Sequence, residues 1–376
     1  MLCIDAAFPG GNSVLEKIEG ETVCLHQDLR DTEGDWFYWC FRVRGGAGRT
    51  LTFQFTQSNC IGVRGPAVSL DGGRTWSWLG QEAVREKSFR HALPEGLDEV
   101  RYSVGMPYVE SHLQEFLARH AGNPNLQTGT LCRTPKGRET ELLRVGRLDG
   151  RCKHRVAITC RQHACEMMPN YALEGLIESI LGGDATGAWF RECVEFLLVP
   201  FMDKDGVEEG DQGKNRKPHD HNRDYAGESI YPSVRALREQ LPAWSQERLK
   251  VALDLHCPWI RGRHHEELYL VGTPKAENWA RVGRFSEVLA SVQRGPLVFH
   301  PEDNLPFGQE WNTYTGPLKT FQRWAEELPG LDFATGLELP YANARGVEVN
   351  AQSARAFGCD LAMAIGGYLL SPVQLK

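Results

Sequence analysis

Ile158-Thr159-Cys160-Arg161-Gln162-His163-Ala164-Cys165-Glu166-Met167-Met168 is the stretch on which the fold hinges. Its apolar start reads as the end of a buried strand. Its far side leads into residues 167–181, where Leu173, Leu176, Ile177, Ile180 and Leu181 fall at helical spacing. A His and a Glu three apart thus sit in a strand-to-helix turn and can face one ion. Leu253-Asp254-Leu255-His256 closes another apolar run and offers a third ligand. Two His nitrogens and one carboxylate leave a fourth zinc position open for water, as in catalytic rather than structural sites. Alone, H-x-x-E arises by chance in many proteins. The strand before it and the helix after it give it weight.

Outward from this turn, strands and helices alternate. The pattern predicts strands at 155–159, 194–199, 250–255, 268–271 and 333–339. It predicts helices at 109–119, 167–181, 233–240, 275–292 and 351–369. This is an α/β/α layering over a mixed, mostly parallel sheet. Both candidate His ligands, and Glu338, fall at or near C-terminal strand ends, the edge where open α/β sheets gather ligands.

Before Met106-Pro107-Tyr108 the character differs. Phe37, Trp39, Phe41 and Val43 fit one face of a strand. Leu51, Phe53 and Phe55 alternate with Thr52, Gln54 and Thr56. Val68 and Leu70 precede the turn signal Asp71-Gly72-Gly73, and Trp76 and Trp78 follow it; Val100, Tyr102 and Val104 alternate again. Period-two runs between Gly-rich turns predict an antiparallel β-sandwich over 1–108, ahead of an α/β domain over 109–376. Core packing accounts for these aromatics without a ligand-binding face.

The 376 residues allow about two or three domains. Hydrophobic content of 41% and charged content of 24% are ordinary for a globular chain. A net charge of −7 argues against general nucleic-acid binding, though not against a local basic pocket. No run approaches the ~20 apolar residues that span a bilayer, and Met1-Leu2-Cys3-Ile4-Asp5 does not open a signal peptide. The eleven cysteines have no C-x-x-C pair and several lie in apolar runs, as buried thiols in a reducing cytoplasm would.

The basic loop from Gly213 to Tyr225 holds Lys214, Asn215, Arg216, Lys217, Asn222 and Arg223. Such a loop suits an anion site, since Arg presents a planar fork to a carboxylate; a solvated loop is the plainer reading. Its His219-Asp220-His221 could hold metal, but ligands on strand ends keep better geometry. Asp254 shares a strand face with His256 and could orient it or be a buried acceptor. Glu338, inside an apolar run, is costly to bury without purpose. It could be a general base or half of a structural ion pair.

Taken together, these segments resemble the zinc metallocarboxypeptidase family, most of all the cytosolic carboxypeptidase branch, in which a β-domain precedes the catalytic domain. The resemblance runs from about Tyr102 to Glu338. It rests on Arg161 to Glu166, Leu198-Val199-Pro200 to Asp205-Gly206, Arg216, Asn222-Arg223, Leu255-His256 and Leu337-Glu338. It implies one zinc on His163, Glu166 and His256, with Glu338 as general base and then proton donor. It further implies Arg216 polarising the scissile carbonyl, Asn222 and Arg223 gripping the terminal carboxylate, and Tyr314 as the mobile tyrosine. Asp203-Lys204-Asp205-Gly206 departs from the usual Asn-Pro-Asp-Gly. In the family, a residue of the stretch before Glu338 lines the terminal side-chain pocket. Counting from Gly316 selects Lys319, and counting back from Glu338 selects Arg323; a solvated helix face would also explain both. A cation there implies a preference for acidic termini. The expected protein is a cytoplasmic zinc carboxypeptidase acting on peptide or protein C-termini. The alternatives are a zinc amidohydrolase of small N-acyl amino acids and a non-catalytic binding module on the same fold.

Overall fold

The computed structural model describes residues 1–370. Among them, the α/β part is built on a seven-stranded sheet. Its strands lie in the order Leu126–Arg133, Glu139–Gly146, Val194–Val199, His154–Cys160, Leu249–His256, Phe333–Glu338, Tyr269–Val271. The four from Val194–Val199 to Phe333–Glu338 run parallel. Antiparallel strands flank them on both sides. Two of the four parallel strands are buried along their whole length and the other two at all but one residue, which is why they read as apolar runs rather than alternating ones.

Strand order fixes the functional edge. From His154–Cys160 the chain crosses to its neighbour Val194–Val199, and from there to Leu249–His256 on the opposite side. The strand order therefore reverses between His154–Cys160 and Leu249–His256, and a crevice opens at their C-terminal ends. The His163–Glu166 turn leaves one of these strands and His256 ends the other. Parallel register sets His256 beside Glu338.

The helix Met168–Leu181 packs against Ala351–Leu370. The backbones touch: a Cβ on Gly175 would lie 1.9 Å from the Arg355 carbonyl oxygen, and one on Gly358 1.8 Å from that of Ala172. Two glycines thus hold down the helix that begins just after the candidate ligands.

The N-terminal part forms two five-stranded sheets. Leu51, Phe53 and Phe55 point into a core with Trp39, Phe41, Phe89 and Tyr102, so the aromatic alternation there is packing. The sheets are antiparallel as expected, with one exception: Thr22–His26 pairs parallel with Thr50–Phe55. One expectation needs correction. The first aromatic strand is Cys40–Arg44; Phe37, Tyr38 and Trp39 precede it and are all buried. Alternation was the wrong signal where every residue is enclosed. The hairpin Leu126–Arg133/Glu139–Gly146 and the helix Ala185–Cys193 escaped the sequence reading. Polar faces on an edge strand and a short helix leave weak periodicity. Among the described residues no helix is long and apolar enough to cross a membrane.

Candidate active site

The ligand turn is held from behind. Arg161 adopts a left-handed backbone with φ of 60°, uncommon for a side-chain-bearing residue. Its buried guanidinium donates to the carbonyls of Ala164 and Tyr108 and to Asn170 Oδ1. These bonds fold the 161–166 segment back so that His163 and Glu166 face His256.

The three converge. His163 Nδ1 lies 3.0 Å from Glu166 Oε1, and His256 Nδ1 lies 2.8 Å from Glu166 Oε2. One donor atom from each residue falls within 4.8 Å of the others, and this is the one such cluster found among the described residues. Both imidazoles turn Nδ1 inward. The outer nitrogen of His256 meets Asp254 Oδ2 at 2.8 Å, and that of His163 lies 3.8 Å from Asp220 Oδ1. Thr159 donates to the other oxygen of Asp254. Carboxylates behind imidazoles fix ring orientation in metal sites, so this donor set fits a zinc ion with a free position. Burial disfavours charge on His256, but Asp254 and Glu166 outweigh it and hold its pKa well above the ordinary value. Burial likewise opposes a charged Glu166, yet His163, Lys214 and His256 hold its pKa well below the usual range. The alternative His219-Asp220-His221 set does not converge. His219 pairs with Asp224, and His221 stacks on Tyr231 at 3.7 Å.

A cavity of about 380 Å³ opens on the cluster, lined in part by His163, His256, Glu338, Lys214, Asn222, Arg223, Tyr314 and Arg323. Glu338 is 7% exposed, and its Oε2 has no hydrogen-bond partner. Burial pushes its carboxyl up to about 7, with His256 opposing and Glu166 reinforcing the rise. Asn222 is fixed by a bond from the Phe321 N–H to its Oδ1, and its Nδ2 lies 3.4 Å from His256 Nε2. Arg223 meets the carbonyl of Asn222 and the face of Tyr314. Tyr314 is 39% exposed at the cavity. Arg323 donates to the Tyr314 carbonyl.

Two expected site residues are not brought here. Arg216 lies outside this cavity, and three carboxylates claim its guanidinium: Asp203 at 2.7 Å, Asp211 at 2.8 Å and Asp31 at 3.0 Å. Its guanidinium is thus engaged outside the cavity. Lys319 pairs its ammonium with Glu327 at 2.7 Å and does not line the cavity. Of the two cations named for the side-chain pocket, only Arg323 lines the cavity. Asp203 is not in a simple loop: it caps the helix Lys204–Glu209, accepting from the Gly206 N–H.

The residue missed is Lys214. Its ammonium is 2.6 Å from Glu166 Oε1, and it sits 4.9 Å from the centre of the Trp36 ring. Gly213 brings it there. With φ of 74°, a Cβ at Gly213 would fall 2.1 Å from the Ala164 nitrogen, so the basic loop lies directly on the ligand turn. The richness of the loop in cations was visible in the sequence; which cation turns inward was not.

Solved structures share this architecture. A metallo-carboxypeptidase from Burkholderia cenocepacia superposes with a TM-score of 0.81 at 22% identity, covering 98% of each chain. A metallo-carboxypeptidase from Pseudomonas aeruginosa, solved with (2-guanidinoethylmercapto)succinic acid, gives 0.78 at 18% identity, covering 98% of this chain and 99% of that one. The fold is therefore the metallocarboxypeptidase fold. Residues 110–246 match the zinc carboxypeptidase family model, Peptidase_M14, and the chain is similar to the cytosolic carboxypeptidases within that group. Cytosolic carboxypeptidase 6 of Caenorhabditis elegans is 23% identical over 289 residues, and cytosolic carboxypeptidase 2 of Mus musculus 22% over 311. The alignments cover 68% and 72% of this chain, but only 62% and 35% of those relatives.

Proposed function

We propose that the chain is a zinc-dependent carboxypeptidase that hydrolyses the last peptide bond of peptides or proteins in the cytoplasm. The observation that carries this reading is the convergence of His163, Glu166 and His256 at the crevice, with Glu338 on the adjoining strand and its buried Oε2 unpaired. Zinc held by those three would supply a Lewis acid and activate water at neutral pH. Glu338 takes the proton of the attacking water and returns it to the leaving amine. Lys214, rather than Arg216, offers positive charge to the carbonyl oxygen as it gains electrons. Asn222 and Arg223 hold the terminal carboxylate, a charge-assisted contact that a neutral amide forfeits. Tyr314 closes on the terminal residue from the cavity mouth. Arg323 favours an acidic terminal side chain. Residues 1–108 form a separate β-domain that supports this site, and residues 109–376 form the catalytic domain.

The test is direct. The purified protein is expected to bind about one equivalent of zinc and to release free amino acids from peptides with free C-termini. Amidated peptides are expected to be poor substrates. Glu338→Gln is expected to keep metal and fold while losing hydrolysis by about 10²–10⁴-fold. Equal rates on free and amidated termini would point to an amidohydrolase or an endopeptidase. Zinc binding without any turnover would point to a binding module.

A further inference from the structure

The cavity has two ends, and a chain of contacts orders them. At one end Arg223 lies over the Tyr314 ring at 5.7 Å, and Arg323 donates to the Tyr314 carbonyl. The metal cluster is in the middle, reached from Arg223 through its neighbour Asn222, which lies against His256. Beyond Glu166 comes Lys214, then the Trp36 ring, then Trp259, whose ring centre is 5.1 Å from that of Trp36. A peptide whose terminal carboxylate rests on Arg223 and whose last peptide bond lies at the cluster would have the two indoles on the side of its preceding residue.

These indoles differ from the packed aromatics of the same β-part. Trp39 is fully buried and its indole donates to the Cys60 carbonyl. Trp36 and Trp259 are only partly buried, and both line the cavity. They are nonetheless braced: Phe37, 1% exposed, meets Trp259 edge-on at 4.7 Å and Tyr341 at 5.3 Å. Braced, partly buried indoles present apolar faces with little left to order on binding. Lys214 stands beside Glu166, where the reading above sets its ammonium at the scissile carbonyl, and the wall beyond it is indole.

We propose that Trp36 and Trp259 form an aromatic subsite for the side chain on the amino side of the scissile bond, favouring substrates with a large apolar or aromatic penultimate residue. Trp36 belongs to the N-terminal part, so that part builds a wall of the substrate site. The assignment of the penultimate position rests on the carboxypeptidase reading above.

The experiment uses the full zinc-loaded protein and peptides identical except at the penultimate position: Gly, Leu, Phe or Glu. Phe over Gly is expected to gain about tenfold in kcat/KM, the scale of apolar pocket discrimination. Trp36→Ala and Trp259→Ala are each expected to bring that ratio close to one, while Trp36→Phe keeps most of it. Calorimetric binding of the same peptides to the Glu338→Gln protein gives a second readout independent of turnover. A flat wild-type profile, a preference for Glu, or a Phe-to-Gly ratio unchanged in both Ala variants overturns the subsite. If no amino acid is released but binding keeps the Trp36-dependent preference for Phe, the carboxypeptidase reading fails and the aromatic subsite stands.

Discussion

Lys214 and Arg216 lie two residues apart on one basic loop, and the loop faces two different regions. Lys214 points to the cluster of His163, Glu166 and His256, with Glu166 as its carboxylate partner. Arg216 points the other way, into Asp31, Asp203 and Asp211. A guanidinium has five donors in a fixed fork and is well matched to several carboxylates; an ammonium is a compact charge with three donors. With Glu166 taking one, Lys214 keeps donors beside the cavity, whereas Arg216 spends three outside it and does not line it. The division is enforced from the N-terminal part: Asp31 accepts from the backbone N–H groups of Gln212 and Gly213 as well as from Arg216. One side of the loop is a structural anchor, and the other is available for chemistry.

The strongest way to break this comparison is Arg216→Ala. It strands three buried or partly buried carboxylates beside one another, and removing one partner of a buried ion pair costs about 3–5 kcal/mol. Thermal or denaturant unfolding would measure this. The loss has a pH signature. In the wild type, burial works against a charged Asp203, but Arg216 outweighs it and keeps its pKa below the ordinary value. That contribution is present above the unfolded pKa and fades as pH falls through the folded one. In the variant, the crowded carboxylates gain by taking up protons. The gap between the two proteins is therefore expected to narrow as pH drops from neutral towards 4. A variant as stable as the wild type, but inactive, would return Arg216 to the catalytic role first expected of it.

Next in size is Lys214→Met, which keeps much of the side chain and removes its charge. A cation aimed at developing oxyanion charge is worth about 10²–10³ in kcat. The loss is expected mainly in kcat, with peptide binding largely kept and Lys214→Arg recovering part of the rate. A purely structural lysine would instead lower stability and metal retention without that split.

The same contrast explains what was legible in the sequence. His163, Glu166, His256 and Glu338 could be read because each ends a buried strand or follows one, and apolar runs mark such strands. Their placement at one edge then follows from α/β topology. Arg216 could not be separated from Lys214 because both sit in an irregular loop without periodicity. What directs them is Asp31, more than 180 positions away in the chain. Lys319 and Arg323 were ambiguous for a related reason. Their approach to the cavity depends on where the short helix Phe321–Ala325 begins, and Thr320 sets that by capping the Arg323 N–H. Trp36 was not singled out, since a sequence does not distinguish an indole facing the core from one facing a cavity.

That last pair of cations gives the smallest and sharpest test. Arg323 lines the cavity and lies next to Tyr314, whereas Lys319 spends its charge on Glu327. Arg323 is part-exposed, so solvent screens it, and a full low-dielectric attraction is not expected. An effect of about tenfold on peptides ending in Glu relative to Gln is the expected scale, equal to about 1.4 kcal/mol. Arg323→Gln is expected to lose that preference, and raising the salt concentration to weaken it in the wild type. Lys319→Gln should leave it intact, because its partner is on the protein's surface and not in the substrate. Competition assays with the paired peptides, at two ionic strengths, measure both. If Lys319→Gln abolishes the preference and Arg323→Gln does not, the terminal side chain lies outside the cavity described here, over the Phe321–Ala325 helix. A wild type indifferent to terminal charge would mean that Arg323 serves the terminal carboxylate alongside Arg223, not the side chain.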